Sequence, residues 1–248
     1  MEQHERRVAN TFLAWGWADG VSDDSLSDAP SPRLSRLFTA RYERQRTQTS
    51  KTLLFVSSAH LRYLLRFDSS PLGIHTPRYL QWQLRFLTAI SDQLRRVVRF
   101  RSYPQEFGYA VRDQVTSRVG PLQWDGDQPF AQALDDARVV VVDHSGTTFL
   151  EALRWGGPTV LFWDRSAWEV RDGAQPYVEA LRTVGILHDS PEAAAAHVGA
   201  IYDQPLEWWK RQEVQEARRR FIERYALGRR DRLAWWTRIV REGLAASR

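Results

Sequence analysis

One stretch of this 248-residue chain concentrates the residues that could do chemistry: Ala137 to Asp164, "ARVVVVDHSGTTFLEALRWGGPTVLFWD". Four valines run into Asp143-His144-Ser145-Gly146, and Thr147 and Thr148 then open a segment with helical periodicity. At the carboxyl end of a buried strand, such a turn presents free N–H groups, two hydroxyls and the positive end of a helix dipole. Together these suit an anion. Glu151 falls one turn into the helix, on the side of Thr147 and Thr148, where an acceptor could hold a ribose diol. The same spacing also has a purely local reading, with Ser145 capping the helix and Glu151 completing a capping pattern. The residues alone leave both readings open.

Other candidates sit at similar places. Arg101 and Tyr103 end an apolar run at 97–104, where an arginine could neutralise a leaving diphosphate. Asp68-Ser69-Ser70 follows an earlier strand-like run and could meet phosphate or sugar, or form an ordinary polar turn. His144 could touch phosphate or act as a general acid or base, against the plainer role of a hydrogen-bonding spacer. His75 is a weaker case of the same kind. Glu169, Arg171 and Gln175 follow another strand end and could face a sugar. Asp125 and Asp127 form an Asp-x-Asp within "WDGD". GT-A transferases bind a metal with such a pair, but this one falls in a tight turn with no His or Glu nearby at ligand spacing. No metal site and no cofactor are expected.

These positions need elements to hold them. Apolar runs at 52–59, 97–104, 121–126, 138–143, 158–164 and 186–189 read as strands. Between them lie helical stretches, the clearest at 77–96, where Leu80, Leu84, Leu87 and Ile90 share a face. "SPEAAAAHVGAIYD" opens on Ser190 as cap with Pro191 at the first helical position. Continuous apolar strands alternating with helices predict a doubly wound parallel sheet covered on both faces, with ligands at the carboxyl ends of the strands. Before this region "TFLAWGW" (11–17) reads as a short strand, and 19–50 as an irregular linker. After it, 205–248 is largely helical, with tryptophan pairs at 208–209 and 235–236. The expected division is therefore 1–50, 51–204 and 205–248.

Composition narrows the class. The chain has no cysteine, which removes disulfides, Cys-based zinc sites and thiol nucleophiles. No apolar run approaches a membrane span, and the N-terminus has no signal-peptide pattern. A cytoplasmic protein is expected. The formal charge is +5, and 33 of the 35 basic residues are arginine. Arginine suits anionic ligands, though a general Arg-for-Lys bias would give the same count. The arginines form no stripe interleaved with aromatics, so nucleic acid is not expected as a partner.

The element Ser145-Gly146-Thr147-Thr148-Phe149-Leu150-Glu151-Ala152-Leu153, followed by Gly157-Pro158-Thr159 and a strand, resembles the donor-binding element of GT-B glycosyltransferases. With "FDSSPLG" (67–73), "RSYPQEFGY" (101–109), "FWDRSAWEVRDGAQPY" (162–177) and "EVQEARRRFIERYA" (213–226), the chain is similar to a family of bacterial surface-carbohydrate transferases. It is more distantly similar to capsule and glycerophosphate-polymer transferases. The resemblance implies a single Rossmann-like GT-B half with a helical C-terminal extension. It places a nucleotide-activated sugar on Ser145, Gly146, Thr147, Thr148 and Glu151, with Ser69, Ser70 and Arg101 as further donor contacts. Arg101, His144 and Asp68 are the candidates for chemistry. The acceptor would be a carbohydrate or a lipid-linked carrier, giving at most peripheral contact with the inner face of the membrane. GT-B enzymes have a second, N-terminal Rossmann-like domain that supplies the acceptor side. Two alternatives follow: a CDP-glycerol-type phosphotransferase, or a non-catalytic nucleotide-binding half that needs a separate N-terminal domain.

Overall fold

The computed structural model describes residues 2–18, 25–37, 50–59, 73–126 and 128–246. At its centre are β3 (Thr52–Val56) and β6 (Ala137–Val142), whose side chains are buried from Leu53 and from Val139 onward. Strands this apolar on both faces pair in parallel and need helices above and below. The neighbours are β4 (Val98–Arg101), β5 (Gln123–Asp125), β7 (Thr159–Phe162) and β8 (Leu187–His188), all parallel, in the order β5-β4-β3-β6-β7-β8. The chain runs outward from β3 to β5, returns beside β3 as β6 and runs outward the other way. The strand order thus reverses between β3 and β6, and this is the arrangement of the Rossmann fold.

Right-handed crossovers put the helices before and after that reversal on opposite faces. Helix α3 (Thr76–Ala89) packs against α5 (Val111–Val119) and α9 (Pro191–Ile201). On the other side α7 (Thr147–Trp155) and α8 (Gln175–Thr183) pack against α11 (Gln212–Tyr225). The short α6 (Phe130–Asp136) returns the chain to β6. Phe55 anchors the core, with its ring 4.9 Å from Phe100, 5.2 Å from Phe86 and 6.1 Å from Phe162. One residue thus ties β3 to β4, α3 and β7 at aromatic contact distances.

The helix expected over 77–96 is two helices. Ile90 turns to an extended conformation, and Ser91 accepts the Leu94 N–H at 3.3 Å to start α4 (Asp92–Arg95). The Ser-Asp pair is an N-cap signal that ends one helix by beginning another.

The segment read as irregular linker also holds structure. Beyond α1 (Glu2–Val8), β1 (Phe12–Ala14) pairs in parallel with β2 (Leu26–Asp28). Ser31 then caps α2 (Pro32–Arg36), where Leu34 is fully buried. The tail explains why so short a helix stays in place. The Ser31 N–H donates to Leu227 O at 2.8 Å, and the Arg229 N–H to Ser35 Oγ at 3.1 Å. The tail is fixed in turn. In α10 (Pro205–Trp209), the indole N–H groups of Trp208 and Trp209 donate to Val184 O and Gly156 O, and Arg218 of α11 donates to Leu153 O. Its last helix, α12 (Arg232–Ala246), reaches back through the Trp236 indole to Pro30 O.

Leu34→Ala is expected to lower unfolding stability by roughly 2–5 kcal/mol, as for other buried leucines. Urea denaturation measures it; a loss below about 1 kcal/mol would separate residues 31–36 from the cooperative unit.

Candidate functional site

Where neighbouring strands feed helices on opposite faces, a crevice opens outside their carboxyl ends. Here those ends are Ser57 to Ala59 after β3 and Asp143 to Gly146 after β6. Asp143 is almost completely buried, yet its carboxyl is fully engaged. It accepts the Tyr79 hydroxyl at 2.5 Å and the Gln83 amide at 2.8 Å, both from α3, while the Ser58 N–H donates to Tyr79 Oη at 2.8 Å. These donors are neutral, and burial outweighs them. The Asp143 carboxyl is pushed up to about 7, and the same burial pushes the Tyr79 phenol well above its usual range. Asp143 and Tyr79 line a cavity of about 100 Å³ with His75, Trp82, Trp168 and Asp164, which is ion-paired to Arg78.

The turn is built around His144, whose ring is buried and accepts the Gly146 N–H on Nδ1 at 3.0 Å. A Cβ on Gly146 would lie 2.9 Å from that nitrogen. The glycine is therefore required by the histidine ring beside it, although its φ of −75° is open to any residue. The cap position of α7 falls on Gly146, which has no side chain to cap with. Thr147 is exposed and Thr148 half-buried at the helix start.

Glu151 does not reach back to close a capping pattern. Its carboxylate is buried and pairs with Arg33 Nη2 of α2 at 2.8 Å, with the guanidinium largely exposed. Burial raises the Glu151 carboxyl, while Arg33 and the charge of Arg101 oppose the rise.

Ser145 lies on the wall of a large cleft, about 650 Å³, with Trp15, Trp17, Glu169, Arg171 and Arg224. The Arg171 guanidinium sits 5.1 Å from the Trp17 ring centroid. Gln175 stands beside this wall and braces it by donating to Val170 O at 3.0 Å. Arg101 is held elsewhere. It donates to Asp125 Oδ2 at 2.8 Å and to Gln128 O at 3.0 Å, with Phe130 5.4 Å beneath it. Asp125 is thus an ion-pair partner of Arg101. Tyr103 and Glu106 line a third cleft, of about 400 Å³, beyond the ends of β3 and β4. Asp68, Ser69, Ser70 and Asp127 lie outside the described residues. Among the described residues no cluster of His, Cys, Asp or Glu could hold a metal ion, and no helix is long and apolar enough to cross a membrane.

The family model of the LIC12162 family transferase matches residues 1–240. The chain belongs to the LIC12162 transferase family. No curated protein matches its sequence. Among solved structures, the LIC12162-family chain is similar to a mutant of S. aureus TarM in complex with fondaparinux, α-GlcNAc-glycerol and UDP. Sequence identity is 13%, the match covers 90% of this chain and 43% of that one, and the TM-score is 0.52. It also matches a trehalose-6-phosphate synthase (11% identity, 88% and 52% covered, TM-score 0.43) and CalG4, the calicheamicin glycosyltransferase (15%, 86% and 44%, 0.40). The chain spans about half the length of these structures or less. At 13% identity the likeness to TarM is one of fold alone, an α/β, Rossmann-like doubly wound parallel sheet.

In the LIC12162-family chain several site residues carry little sequence signal. Asp143 could have been noticed as a carboxylate ending a valine strand. Its partners Tyr79 and Gln83 stand four apart on α3, a spacing that puts them on one face, but nothing marks that face as polar inside. Arg33 comes from a segment without periodicity, and Trp15 and Trp17 from a strand-like run too short to show which way its side chains face.

The buried carboxyl sets a pH dependence. In the unfolded chain Asp143 ionises near its ordinary 3.8, and in the folded protein near 7. Between these values the folded state holds the extra proton, so its stabilising contribution is full at low pH and is lost as pH rises through 7. In Asp143→Asn that loss should be absent, so denaturation at pH 5 and pH 8 should show the wild type weakening relative to the variant at the higher pH. An equal difference at both pH values would refute the assignment.

Proposed function

We propose that the LIC12162-family chain binds a nucleotide-activated sugar and takes part in its transfer to a hydroxyl acceptor, in the synthesis of cell-surface polysaccharide. The carrying observation is the start of α7 at the strand-order reversal: it has no side-chain cap, and it opens through Ser145 onto a cleft lined by Arg171 and Arg224. Helix dipole, backbone N–H groups, the Thr148 hydroxyl and nearby guanidinium groups favour a diphosphate there. The residues that would bind it are Ser145, Gly146, Thr147 and Thr148. On this reading 51–204 is the donor domain and 205–248 the helices that pack on it.

In the transfer, the bond from the anomeric carbon to the diphosphate oxygen breaks and its electron pair leaves with the diphosphate. The acceptor oxygen forms the new bond and gives its proton to a base. Charge gathers on the departing diphosphate, where fixed dipoles and guanidinium groups stabilise it without reorganising. The second Rossmann half of a GT-B enzyme would bring the remaining wall of the site, including the base, and a lipid-linked acceptor would bring the complex to the inner face of the membrane.

Glu151 has two readings, because the pair with Arg33 is itself a specific observation. As ribose acceptor, Glu151 exchanges Arg33 for the diol when nucleotide binds. As a structural carboxylate it keeps Arg33 and only anchors α2.

Calorimetry with UDP, GDP, CMP and CDP, without added metal, tests the site. One nucleotide should bind, and Thr148→Ala and Glu151→Gln should each weaken it by about tenfold, the worth of one strong hydrogen bond. Preference for CMP over the diphosphates would turn the reading toward a CDP-linked phosphotransferase. Full affinity in Glu151→Gln with reduced stability would leave Glu151 structural. No binding by any of the four would remove the donor site from this chain.

A further inference from the structure

The loop from Ser102 to Ala110, between β4 and α5, is irregular in sequence yet tightly fixed. Glu106 turns its carboxylate back onto the loop and accepts N–H groups from Gly108 at 2.6 Å and from Tyr109 and Ala110 at 2.9 Å. Those donors hold its carboxyl below the usual range. Gln114 donates to Tyr109 O at 2.7 Å, and the Tyr109 hydroxyl reaches Gly73 O at 3.2 Å. Ala110 is the one non-glycine with positive φ among the described residues, at φ 46° and ψ 46°. Backbone in that region is strained for alanine, and surrounding bonds must hold it there.

This held loop leaves aromatic surface open to water. Tyr103 is 52% exposed, and its ring lies 5.8 Å from that of Phe107 at an interplanar angle of 33°. Both line the cleft of about 400 Å³, within the roughly 300–1,000 Å³ range of small-ligand sites. The opposite wall is α3, and the floor carries Ser57, Ser58 and Ser102 at the ends of β3 and β4. Of the charged side chains on the walls, Glu106 is committed to the loop backbone, Arg112 lies over the Trp124 ring at 4.8 Å, and Asp113 stands exposed in the first turn of α5. The cleft therefore offers aromatic faces, neutral hydroxyl and amide groups, and one carboxylate, Asp113, which can accept from sugar hydroxyls. A pyranose ring matches that chemistry: one C–H face for the aromatics and a rim of hydroxyls for the serines and the Gln105 amide.

We propose that this cleft is a carbohydrate subsite, taking an uncharged sugar ring of the acceptor, with Tyr103 and Phe107 as its stacking platform. The proposal deepens the transfer reading above and rests on it. Tyr79 connects the two regions, since it lines this cleft and bonds to Asp143 at the strand-order reversal. A sugar here lies on the α3 side of that reversal and the donor on the α7 side, so the donor half itself carries part of the acceptor site.

Saturation-transfer NMR with methyl glucosides and methyl N-acetylglucosaminides at millimolar concentration tests this, with calorimetric nucleotide titrations run in parallel. Enhancement concentrated on the ring protons of a glycoside is expected. It should fall about fivefold in Tyr103→Ala and in Phe107→Ala, on the scale of one lost aromatic contact. Because Tyr103 is exposed, its variant should keep the wild-type circular dichroism, and nucleotide affinity should stay within about twofold. No enhancement with any glycoside, or equal enhancement in Tyr103→Ala, would overturn the subsite. So would loss of nucleotide affinity in the Tyr103 variant, which would make the cleft a base-stacking site. Nucleotide binding with no glycoside signal sinks this proposal alone, whereas loss of nucleotide binding in the wild type sinks the donor reading.

Discussion

A carboxyl group taken out of water needs donors at hydrogen-bond distance, and Asp143 finds both of its side-chain donors on α3. That requirement fixes more than one side chain. Asp143 ends β6, whereas α3 belongs to the crossover from β3 to β4, so the Tyr79 and Gln83 bonds span the line where the sheet reverses its winding. Such a crevice is lined by backbone termini, and nothing in sheet geometry alone sets its width. The buried carboxyl sets it. The next residues follow from there: His144 turns its ring inward, accepts the Gly146 N–H and leaves no room for a Cβ, and the cap position of α7 is then a residue with no side chain. The exposed helix start is thus the end of a chain of contacts that begins with one desolvated acid.

The arginines show how a basic chain can spend its charge internally. Arg218 donates to Leu153 O, Arg154 to Gly228 O, Arg138 to Tyr202 O, and Arg101 to Asp125 and Gln128 O. Each ties a loop or tail to a strand or helix of the Rossmann-like fold. A guanidinium does this better than an ammonium because its planar fork of donors satisfies carbonyls at fixed angles. Arginine abundance is therefore weak evidence for an anionic ligand in this protein, and Arg171 and Arg224 gain their interest from lining the large cleft beside Ser145.

What the sequence made legible follows the same physics. Strands such as "VVVV" and "TLLFV" must be buried on both faces, so their parallel pairing and the position of the turn after β6 could be read directly. The α3–α4 break hid behind a continuous apolar stripe, because a Ser-Asp cap inside a periodic run is a local signal that periodicity outweighs. Residues 31–36 were not legible as structure: a helix of five residues has no propensity to speak of, and Ser31 and Ser35 are held by tail atoms some two hundred positions away in sequence. At the site, Glu151 was found by spacing but Arg33 was not, since long-range ion pairs leave no periodic trace. The Tyr103 platform was half visible, with the tyrosine placed at a strand end while the Glu106 clamp depended on three backbone N–H groups that only the folded loop presents together.

Asp143 and Glu151 make an instructive pair. Both are buried, both lie on the path from β6 into α7, and burial raises both carboxyls. They differ in what answers them. Neutral donors answer Asp143, so it can carry a proton near neutral pH and still keep its oxygens bonded, which suits a group that holds two elements together. A largely exposed cation answers Glu151, and moving that cation into water would leave the buried carboxylate unpaired unless another donor replaced it. On the proposed donor reading, a diol at Glu151 would have to take the place of one cation, whereas any ligand reaching Asp143 must displace two well-aligned donors. The asymmetry makes Asp143 the fixed joint between β6 and α3, and on the proposed donor reading it leaves Glu151 as the group whose partner could change.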